Sequence, residues 1–213
     1  MVDPVLDTTG TVLFVADKYR NFHDLASHER EGTDFGIAFR DNASSFAIVA
    51  PPGGGIEPGT SEIADAIAGE DFSFYAFEGL KPDGNSDLHI TSTRFDECRC
   101  LSLVARARTI ITVHGRDVED QVVFVGGLNS ALGRRIAAAL ERVGIKTSHH
   151  DDPTLQGLSP TNICNRGTSV AGVQLEIAVG LRRMMFQSLN ATGRESRTVR
   201  FAQFTEALRR VLV

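Results

Sequence analysis

The sequence predicts an α/β fold in which helices flank one mixed β-sheet. Short apolar or β-branched segments alternate along the chain with segments whose apolar residues recur at helical spacing. The 213 residues are 42% hydrophobic and 23% charged, a composition typical of globular proteins. No internal repeat, low-complexity segment or linker divides the chain, so we expect residues 1–213 to form a single domain.

Eight segments have the length and the apolar, β-branched or aromatic content of strands. In chain order they are TVLFVA (11–16), DFGIAFR (34–40), SFAIVA (45–50), SFYAFEG (73–79), LHITST (88–93), RTIITVHG (108–115), QVVFVGG (121–127) and GVQLEIAV (172–179).

Four segments show helical periodicity: 21–30, 60–69, 129–144 and 199–212. Thr60 or Ser61 is predicted to be the N-cap of the second of these helices, and glycines end the second and third. The long segment 146–171 is polar and has little pattern, which is typical of a functional loop.

Charge is distributed unevenly along the chain. The formal net charge is -5, yet residues 1–100 hold 7 Lys/Arg and 18 Asp/Glu, whereas residues 101–213 hold 15 and 9. Arginine suits carboxylate or phosphate ligands, and pairing with the acidic half is the alternative explanation for most of these arginines. Trp is absent and no basic run is interleaved with aromatic residues, so we expect no nucleic-acid partner.

No segment has the pattern of an export signal or a membrane span, so we expect a cytoplasmic protein with no membrane partner. The three cysteines, Cys98, Cys100 and Cys164, are an odd number, and the first two are too close in sequence to bridge comfortably. We interpret all three as reduced thiols. A single C-x-C is only a weak metal signal.

The segment APPGGGIEPGT (50–60) forms a glycine-rich corner between a predicted strand and a predicted helix. Three consecutive glycines permit positive φ angles and close approach of a ligand to the backbone. Their spacing matches neither the dinucleotide fingerprint nor the P-loop. The single carboxylate of the corner, Glu57, indicates either a cation or metal site or an interaction with the N-terminus of the next helix.

Three further motifs carry candidate site residues. His114 ends a predicted strand and precedes a glycine, which is where an active-site ligand would lie, although such histidines are more often structural. Glu176 lies inside an apolar strand, where an ionised carboxylate is costly unless it is paired or functional. The motif NICNRG (162–167) contributes Asn165 and Arg166.

Taken in order, these motifs resemble the poly-γ-glutamate hydrolase family of phage and bacterial proteins. The resemblance runs from about Asp17 to Arg182. It depends on the segments APPGGGIEPGTSEIADAIAG, YAFEG, LHITST, VHG, VGG, LQG, NICNRG and GVQLEI. It implies a zinc carboxypeptidase-like fold, a likeness to phage-related proteins, and zinc-dependent hydrolysis of γ-glutamyl amide bonds in poly-γ-glutamate or γ-glutamyl peptides. We expect a monomer.

The resemblance assigns the metal ligands only in part. It implies that Glu57 and His114 are zinc ligands, but Pro52 stands where the family has its first histidine. Proline has no lone pair to offer a metal, and a catalytic zinc usually takes three protein ligands. By residue type, the substitute donors are His89 or a member of the segment His149, His150, Asp151 and Asp152.

The resemblance also implies roles for the other candidates. Glu176 is expected to act as general base, Asn165 and Arg166 to bind a substrate carboxylate, and Arg182 to be a second choice for that role. Three functions remain open. They are a zinc-dependent γ-glutamyl hydrolase impaired by Pro52, a metal-free carboxylate-binding homologue without turnover, and an interaction protein that keeps only the fold.

Overall fold

A seven-stranded mixed β-sheet forms the centre of the structure, and helices cover both of its faces. The structure is a computed structural model that describes residues 4–6, 12–14 and 17–213. The strands are β1 (Pro4–Leu6), β2 (Val12–Phe14), β3 (Phe35–Arg40), β4 (Phe46–Gly54), β5 (Ser73–Gly79), β6 (Thr109–Arg116), β7 (Val122–Gly126), β8 (Lys146–Ser148) and β9 (Val173–Ala178). The order in the main sheet is β3-β5-β4-β6-β9-β7-β8, and β1 pairs with β2 separately.

Four neighbouring strands, β5, β4, β6 and β9, run parallel to one another. β3 is antiparallel to β5 at one side, and β7 is antiparallel to β9 at the other, where it pairs in parallel with β8. The carboxyl ends of the four parallel strands therefore lie at the same end of the sheet. In open α/β sheets, ligands bind beyond the carboxyl ends of the strands.

The helices are α1 (Phe22–Ala26), α2 (Thr60–Ala68), α3 (Cys98–Arg106), α4 (Ser130–Arg142), α5 (Val179–Met185), α6 (Ala191–Arg194) and α7 (Val199–Leu212). Short 3₁₀ helices span Asn85–Leu88, Pro153–Leu155 and Ile163–Asn165. None of the described helices is long and apolar enough to cross a membrane. All three cysteines are free thiols, and only Cys98 is exposed.

Alternate side chains of the strands pack into two cores, one on each face of the sheet. In β4, Ile48 and Ala50 join the core formed with α2, α4, α5 and α7. Ala47 and Val49 of the same strand join the core formed with α1 and α3. Because both faces are covered, the central strands are almost continuously apolar, as expected for a parallel sheet.

Seven of the eight strand predictions are confirmed, although residues 11, 15 and 16 of the first lie outside the described residues. The prediction of a strand at 88–93 is wrong. Leu88 ends a 3₁₀ helix, and the residues after it bond to the side chain of Asp17 rather than to a neighbouring strand. The carboxylate takes the place of a strand partner for this segment.

The helix predictions at 60–69, 129–144 and 199–212 are confirmed as α2, α4 and α7, and the one at 21–30 shortens to α1. The N-cap prediction for α2 is wrong, because Gly59 occupies the cap with a φ of 101°. Thr60 instead donates its hydroxyl to the Pro52 carbonyl at 2.6 Å. Helices α3, α5 and α6 have no counterpart among the sequence predictions.

The glycine-rich corner begins inside β4, which runs four residues further than predicted, to Gly54. The pairing of β4 with β5 shifts between Ala50 and Gly53, so the two prolines lie in a bulge where no ladder hydrogen bond is required of them. Gly54 has a φ of 59°, and a Cβ there would lie 2.8 Å from the Gly79 carbonyl oxygen. The corner therefore needs glycine at this position.

Candidate functional site

A cleft of about 460 Å³, a volume that includes open solvent, opens at the carboxyl ends of β6 and β9. Its lining is mostly polar: Glu57, His89, Thr91, Ser92, Thr93, His114, Leu155, Gly157, Ser159, Asn162, Gln174 and Glu176. The cleft thus brings together three predicted site residues, Glu57, His114 and Glu176, that come from the corner and from two strands. The polar segment 146–171 supplies four of the lining residues.

His114 and Glu176 lie opposite each other in the parallel pairing of β6 and β9. Apolar Val113, Leu175 and Ile177 alternate with them and pack into the core on the other face of the sheet. The two polar side chains therefore share the face that carries the cleft. The strand register alone explains why they meet.

One side of the cleft, here called the corner wall, consists of Glu57, Ser92 and His114. The Glu57 carboxylate reaches across to β6 and accepts the backbone N–H of Gly115 at 2.5 Å. Burial raises the pKa of the Glu57 carboxyl, and the neighbouring His89, the Gly115 N–H and Arg182 only partly offset this rise.

His114 is almost fully buried, with 5% of its surface exposed. Burial lowers the pKa of its imidazole well below the usual range, so the ring is neutral at physiological pH. Its Nε2 lies 3.3 Å from the hydroxyl oxygen of Ser92. A neutral imidazole in this state is the form that binds metal ions.

Asp17 fixes the segment that carries His89, Thr91 and Ser92 to the cleft. Its carboxylate contacts the Nδ1 of His89 at 2.8 Å, accepts the Thr91 N–H at 2.7 Å and pairs with Arg94 at 2.6 Å. Burial alone would raise the pKa of Asp17, but the hydrogen bonds from His89 and Thr91 outweigh it and hold the pKa far below its usual value. The carboxylate is therefore ionised.

The opposite side of the cleft, here called the amide wall, consists of Asn162, Gln174 and Glu176. Asn162 donates to the Gln174 side-chain oxygen at 2.8 Å, and the Gln174 amide donates to a Glu176 carboxylate oxygen at 2.9 Å. The same amide also donates to the Leu155 carbonyl at 3.1 Å. This chain of hydrogen bonds fixes the orientation of the Glu176 carboxylate.

Asn165 is buried behind this wall and does not line the cleft. Its amide donates to the carbonyls of Gly157 and Ser159, and its oxygen accepts from Leu128 and Gly172. The side chain therefore holds the loop that lines the cleft.

Arg166 and Arg182 also lie outside the lining. Arg166 is exposed and donates to the Phe95 carbonyl. Arg182 is buried and donates to the carbonyls of Pro58, Ile177 and Arg116. These hydrogen bonds connect the glycine-rich corner to β6 and β9. We expected Arg166 and Arg182 to bind a substrate carboxylate, but neither guanidinium group lines the cleft.

The donor groups at the corner wall do not fit a catalytic zinc. Glu57 and His114 supply two side-chain donors, and position 52 supplies only a carbonyl that already accepts the Thr60 hydroxyl. Among the residues that the structure describes, no group of three or more His, Cys, Asp or Glu side chains is placed to hold a metal ion. A catalytic zinc usually takes three protein ligands.

The substitute donors suggested by residue type do not complete the site. His89 lines the cleft with its Nδ1 held by Asp17, but among the described residues it forms no group of three metal-binding side chains with Glu57 and His114. His149 lines a separate cavity, and its Nδ1 contacts the Val125 carbonyl. His150, Asp151 and Asp152 do not line the cleft.

Sequence reasoning missed Gln174, Asn162 and Asp17. The signal for Gln174 was present, because it lies two residues before Glu176 and therefore on the same face of the strand. Asn162 belongs to the NICNRG motif, where it caps a 3₁₀ helix. Asp17 reaches its partners across more than 70 residues, and no local pattern predicts that contact.

Comparison with known proteins agrees with the motifs in the sequence. The family model described as poly-gamma-glutamate hydrolase matches residues 19–207. The UPF0714 protein YndL of Bacillus subtilis (strain 168) is 36% identical over 203 residues, which cover 94% of this chain and 79% of YndL. The SPbeta prophage-derived UPF0714 protein YoqZ of the same organism is 36% identical over 198 residues, covering 90% of this chain and 72% of YoqZ.

Two solved structures share the fold closely. A bacteriophage poly-gamma-glutamate hydrolase has a TM-score of 0.88 and 34% identity, covering 92% of this chain and 97% of its own. The zinc-free, apo form of YndL also has a TM-score of 0.88, with 36% identity and coverage of 92% and 98%. The zinc carboxypeptidase-like fold predicted from the sequence is therefore confirmed.

Proposed function

Because this chain belongs to the poly-gamma-glutamate hydrolase family, we propose that its cleft binds γ-glutamyl chains and that the metal centre needed for rapid hydrolysis lacks one ligand. The observation that carries this proposal is the convergence of Glu57, His114 and Glu176 on one polar cleft, with a proline at position 52. The expected substrate is an anionic γ-glutamyl polymer or peptide.

Glu176 is the group best placed to act as general base. Its carboxylate lies in the cleft, and Gln174 fixes one of its oxygens through a 2.9 Å hydrogen bond. A water molecule bound beside it would give its proton to this carboxylate, and the proton would pass to the leaving amine. Gln174 is a positioning residue in this scheme, because it acts through Glu176.

The remaining lining residues suit a chain with many carboxylates and amides. Thr91, Ser92 and Ser159 offer hydroxyl groups, and Asn162 lies beside them. Such groups donate hydrogen bonds to carboxylate oxygens and accept them from amide N–H groups. Asn165 supports this part of the cleft by holding the carbonyls of Gly157 and Ser159.

Binding without turnover is the second candidate function. It is favoured by one observation: the described residues offer no group of three donors for a metal, while the amide wall is fully hydrogen-bonded. The two candidates share the same ligand. They differ in whether the present chain cleaves it.

The deciding experiment compares the unmodified chain with Pro52→His. After dialysis, we expect the unmodified chain to retain much less than one zinc per chain and Pro52→His to retain one. Release of fragments from poly-γ-glutamate should rise by at least about a hundredfold in Pro52→His, because even partners of the ligands change metal affinity or activity by about 10–100-fold.

Pro51→His is the matched control, since it places the same side chain in the same bulge at the neighbouring position. It should gain neither zinc nor activity. One zinc per unmodified chain would overturn the missing-ligand proposal and indicate a substitute donor. A zinc-loaded Pro52→His chain that leaves the polymer intact would overturn the assignment as a γ-glutamyl hydrolase.

A further inference from the structure

A groove lined by arginines runs between α4 and the end of α7, away from the cleft. Its lining residues are Ala131, Arg134, Arg135, Ala138, Arg142, Arg210 and Val211, and it has a volume of about 810 Å³ that includes open solvent. All four arginines of this arginine groove are exposed. The protein as a whole carries a net charge of -5, so the groove is a local concentration of the opposite sign.

Most of this positive charge is not neutralised. Within the described part of the chain, no ion pair involves Arg134, Arg135 or Arg142, and Arg210 pairs only with Glu206, four residues before it on the same helix. Arg135 donates to the Val211 carbonyl at 2.7 Å, which ties α4 to α7. The guanidinium groups of Arg134 and Arg142 are therefore available to a ligand.

Arg134 and the segment 155–159 connect the arginine groove to the surroundings of the cleft. Between them lies a second cavity of about 470 Å³ lined mainly by apolar atoms, and Arg134 lines both this cavity and the groove. The segment 155–159 separates the second cavity from the cleft. Its odd-numbered residues line the cleft, whereas Gln156 and Leu158 line the second cavity.

We propose that the arginine groove binds the part of an anionic γ-glutamyl polymer that extends beyond the cleft. This inference rests on the proposed function of the cleft. A chain that leaves the cleft over the segment 155–159 meets the second cavity first and Arg134 next. Arg142 follows eight residues later on α4, about 12 Å further along the helix axis.

The chemistry of the polymer matches this surface. In a γ-linked glutamyl chain, the amide uses the side-chain carboxyl, so each unit keeps its α-carboxylate as a free negative charge. A row of guanidinium groups pairs with such carboxylates through two parallel hydrogen bonds each. Exposed pairs contribute little singly, and their sum grows with the length of polymer that lies in the groove.

The proposal predicts a dependence on polymer length that the cleft alone would not give. The test variant is Arg134→Gln/Arg142→Gln, which leaves Arg135 in place because that side chain holds two helices together. Binding is measured by fluorescence anisotropy with labelled long poly-γ-glutamate and with a labelled γ-glutamyl tripeptide. The Kd for the long polymer relative to the Kd for the tripeptide should rise at least about tenfold in the variant.

Arg106→Gln/Arg108→Gln is the matched control, because it removes two exposed positive charges near the amino end of β6, opposite the cleft. This control should change the ratio by less than about twofold, since exposed charges more than about 10 Å away are largely screened at 0.1 M salt. Raising the ionic strength should bring the unmodified chain to the ratio of the test variant.

Two results would overturn the proposal: the same ratio in the test variant as in the control, or tighter binding of a single-stranded oligonucleotide than of poly-γ-glutamate to the arginine groove. Failure of the proposed function is distinguishable. If Pro52→His cleaves the polymer while the arginine variant matches its control, only the groove proposal fails. If the arginine variant loses polymer binding while Pro52→His cleaves nothing, only the hydrolase assignment fails.

Discussion

The corner wall and the amide wall of the cleft differ in how their polar side chains are connected. In the amide wall, Asn162, Gln174 and Glu176 form an unbroken chain of hydrogen bonds. In the corner wall, Glu57 and His114 converge. Position 52 offers only a backbone carbonyl, which already accepts a hydrogen bond from the Thr60 hydroxyl.

This difference shows that the two tasks of the site have separate structural origins. The amide wall comes from β9 and from the loop before it, and its order requires no metal. In the proposed function, the corner wall needs a donor from β4, and the residue at position 52 decides whether it has one. If the proposed function is correct, a chain with this fold keeps a cleft shaped for its ligand while its metal centre is incomplete.

The largest effect is expected at Glu176, the proposed general base in the amide wall. In a Pro52→His chain loaded with zinc, Glu176→Gln should lower the rate of fragment release by about 10²–10⁴-fold, the usual contribution of a general base. Metal content and polymer binding should stay unchanged. The rate is measured by the release of amines from poly-γ-glutamate.

Glu195→Gln, an exposed glutamate beyond α6, is the control and should leave the rate unaltered. If Glu176→Gln retained more than about a tenth of the rate, the general base would have to be sought elsewhere in the cleft.

The next largest effect is expected at Asp17, which fixes the segment that carries Ser92 of the corner wall. Asp17→Asn should lower the free energy of unfolding at pH 7 by about 3 kcal/mol, because it removes the charge that holds His89, Thr91 and Arg94 in a buried setting. Urea unfolding measures the change. Asp87→Asn, which breaks the exposed pair with Lys18, should cost less than about 1 kcal/mol.

The pH dependence of this effect follows from the lowered pKa of Asp17. The stabilisation is fully present above the usual aspartate pKa of 3.8 and is lost as the pH falls through the lower pKa of the folded state. The difference between the two proteins should therefore be largest near neutral pH and shrink below about pH 4. A difference that grew on acidification would contradict an ionised Asp17.

The two walls also differ in how far the sequence could predict them. His114 could be identified because it ends an apolar strand and precedes a glycine, and Glu176 because it interrupts an apolar strand. Glu57 stood out as the only carboxylate of a glycine-rich corner. Their convergence could not be derived from the pattern, because it depends on which strands are neighbours in the sheet.

Other features had no local signal. The contact of Asp17 with His89 closes a loop of about 70 residues, and it turned a predicted strand at 88–93 into irregular chain. The hydrogen bonds of Arg182 to three carbonyls depend on tertiary packing around the corner, so the expectation of a substrate contact at Arg182 could not anticipate them. Sequence patterns report burial and period, whereas these roles depend on partners distant in the chain.

A moderate effect is expected at Gln174, which joins Asn162 to Glu176 by hydrogen bonds in the amide wall. Gln174→Met keeps a side chain of similar size but removes the hydrogen bonds to Asn162, Leu155 and Glu176. Two buried polar groups then lose a partner, so binding of a γ-glutamyl tripeptide should weaken about tenfold. Calorimetry measures the affinity, and Gln203→Met on the exposed side of α7 is the control.

An unchanged affinity in Gln174→Met would mean that the amide wall does not hold the ligand. In that case the order of this wall would serve only the fold, and the contrast with the corner wall would lose its functional meaning.

The smallest effect is expected at Cys164, a nucleophile by type that lies behind the amide wall. Burial raises the pKa of this thiol to about 12, so it stays protonated at neutral pH and cannot attack an amide. In the zinc-loaded Pro52→His chain, Cys164→Ala should therefore change the rate of polymer cleavage by less than about twofold. A loss of more than about tenfold, with zinc retained, would instead assign the chemistry to the thiol and remove the need for a third metal ligand at position 52.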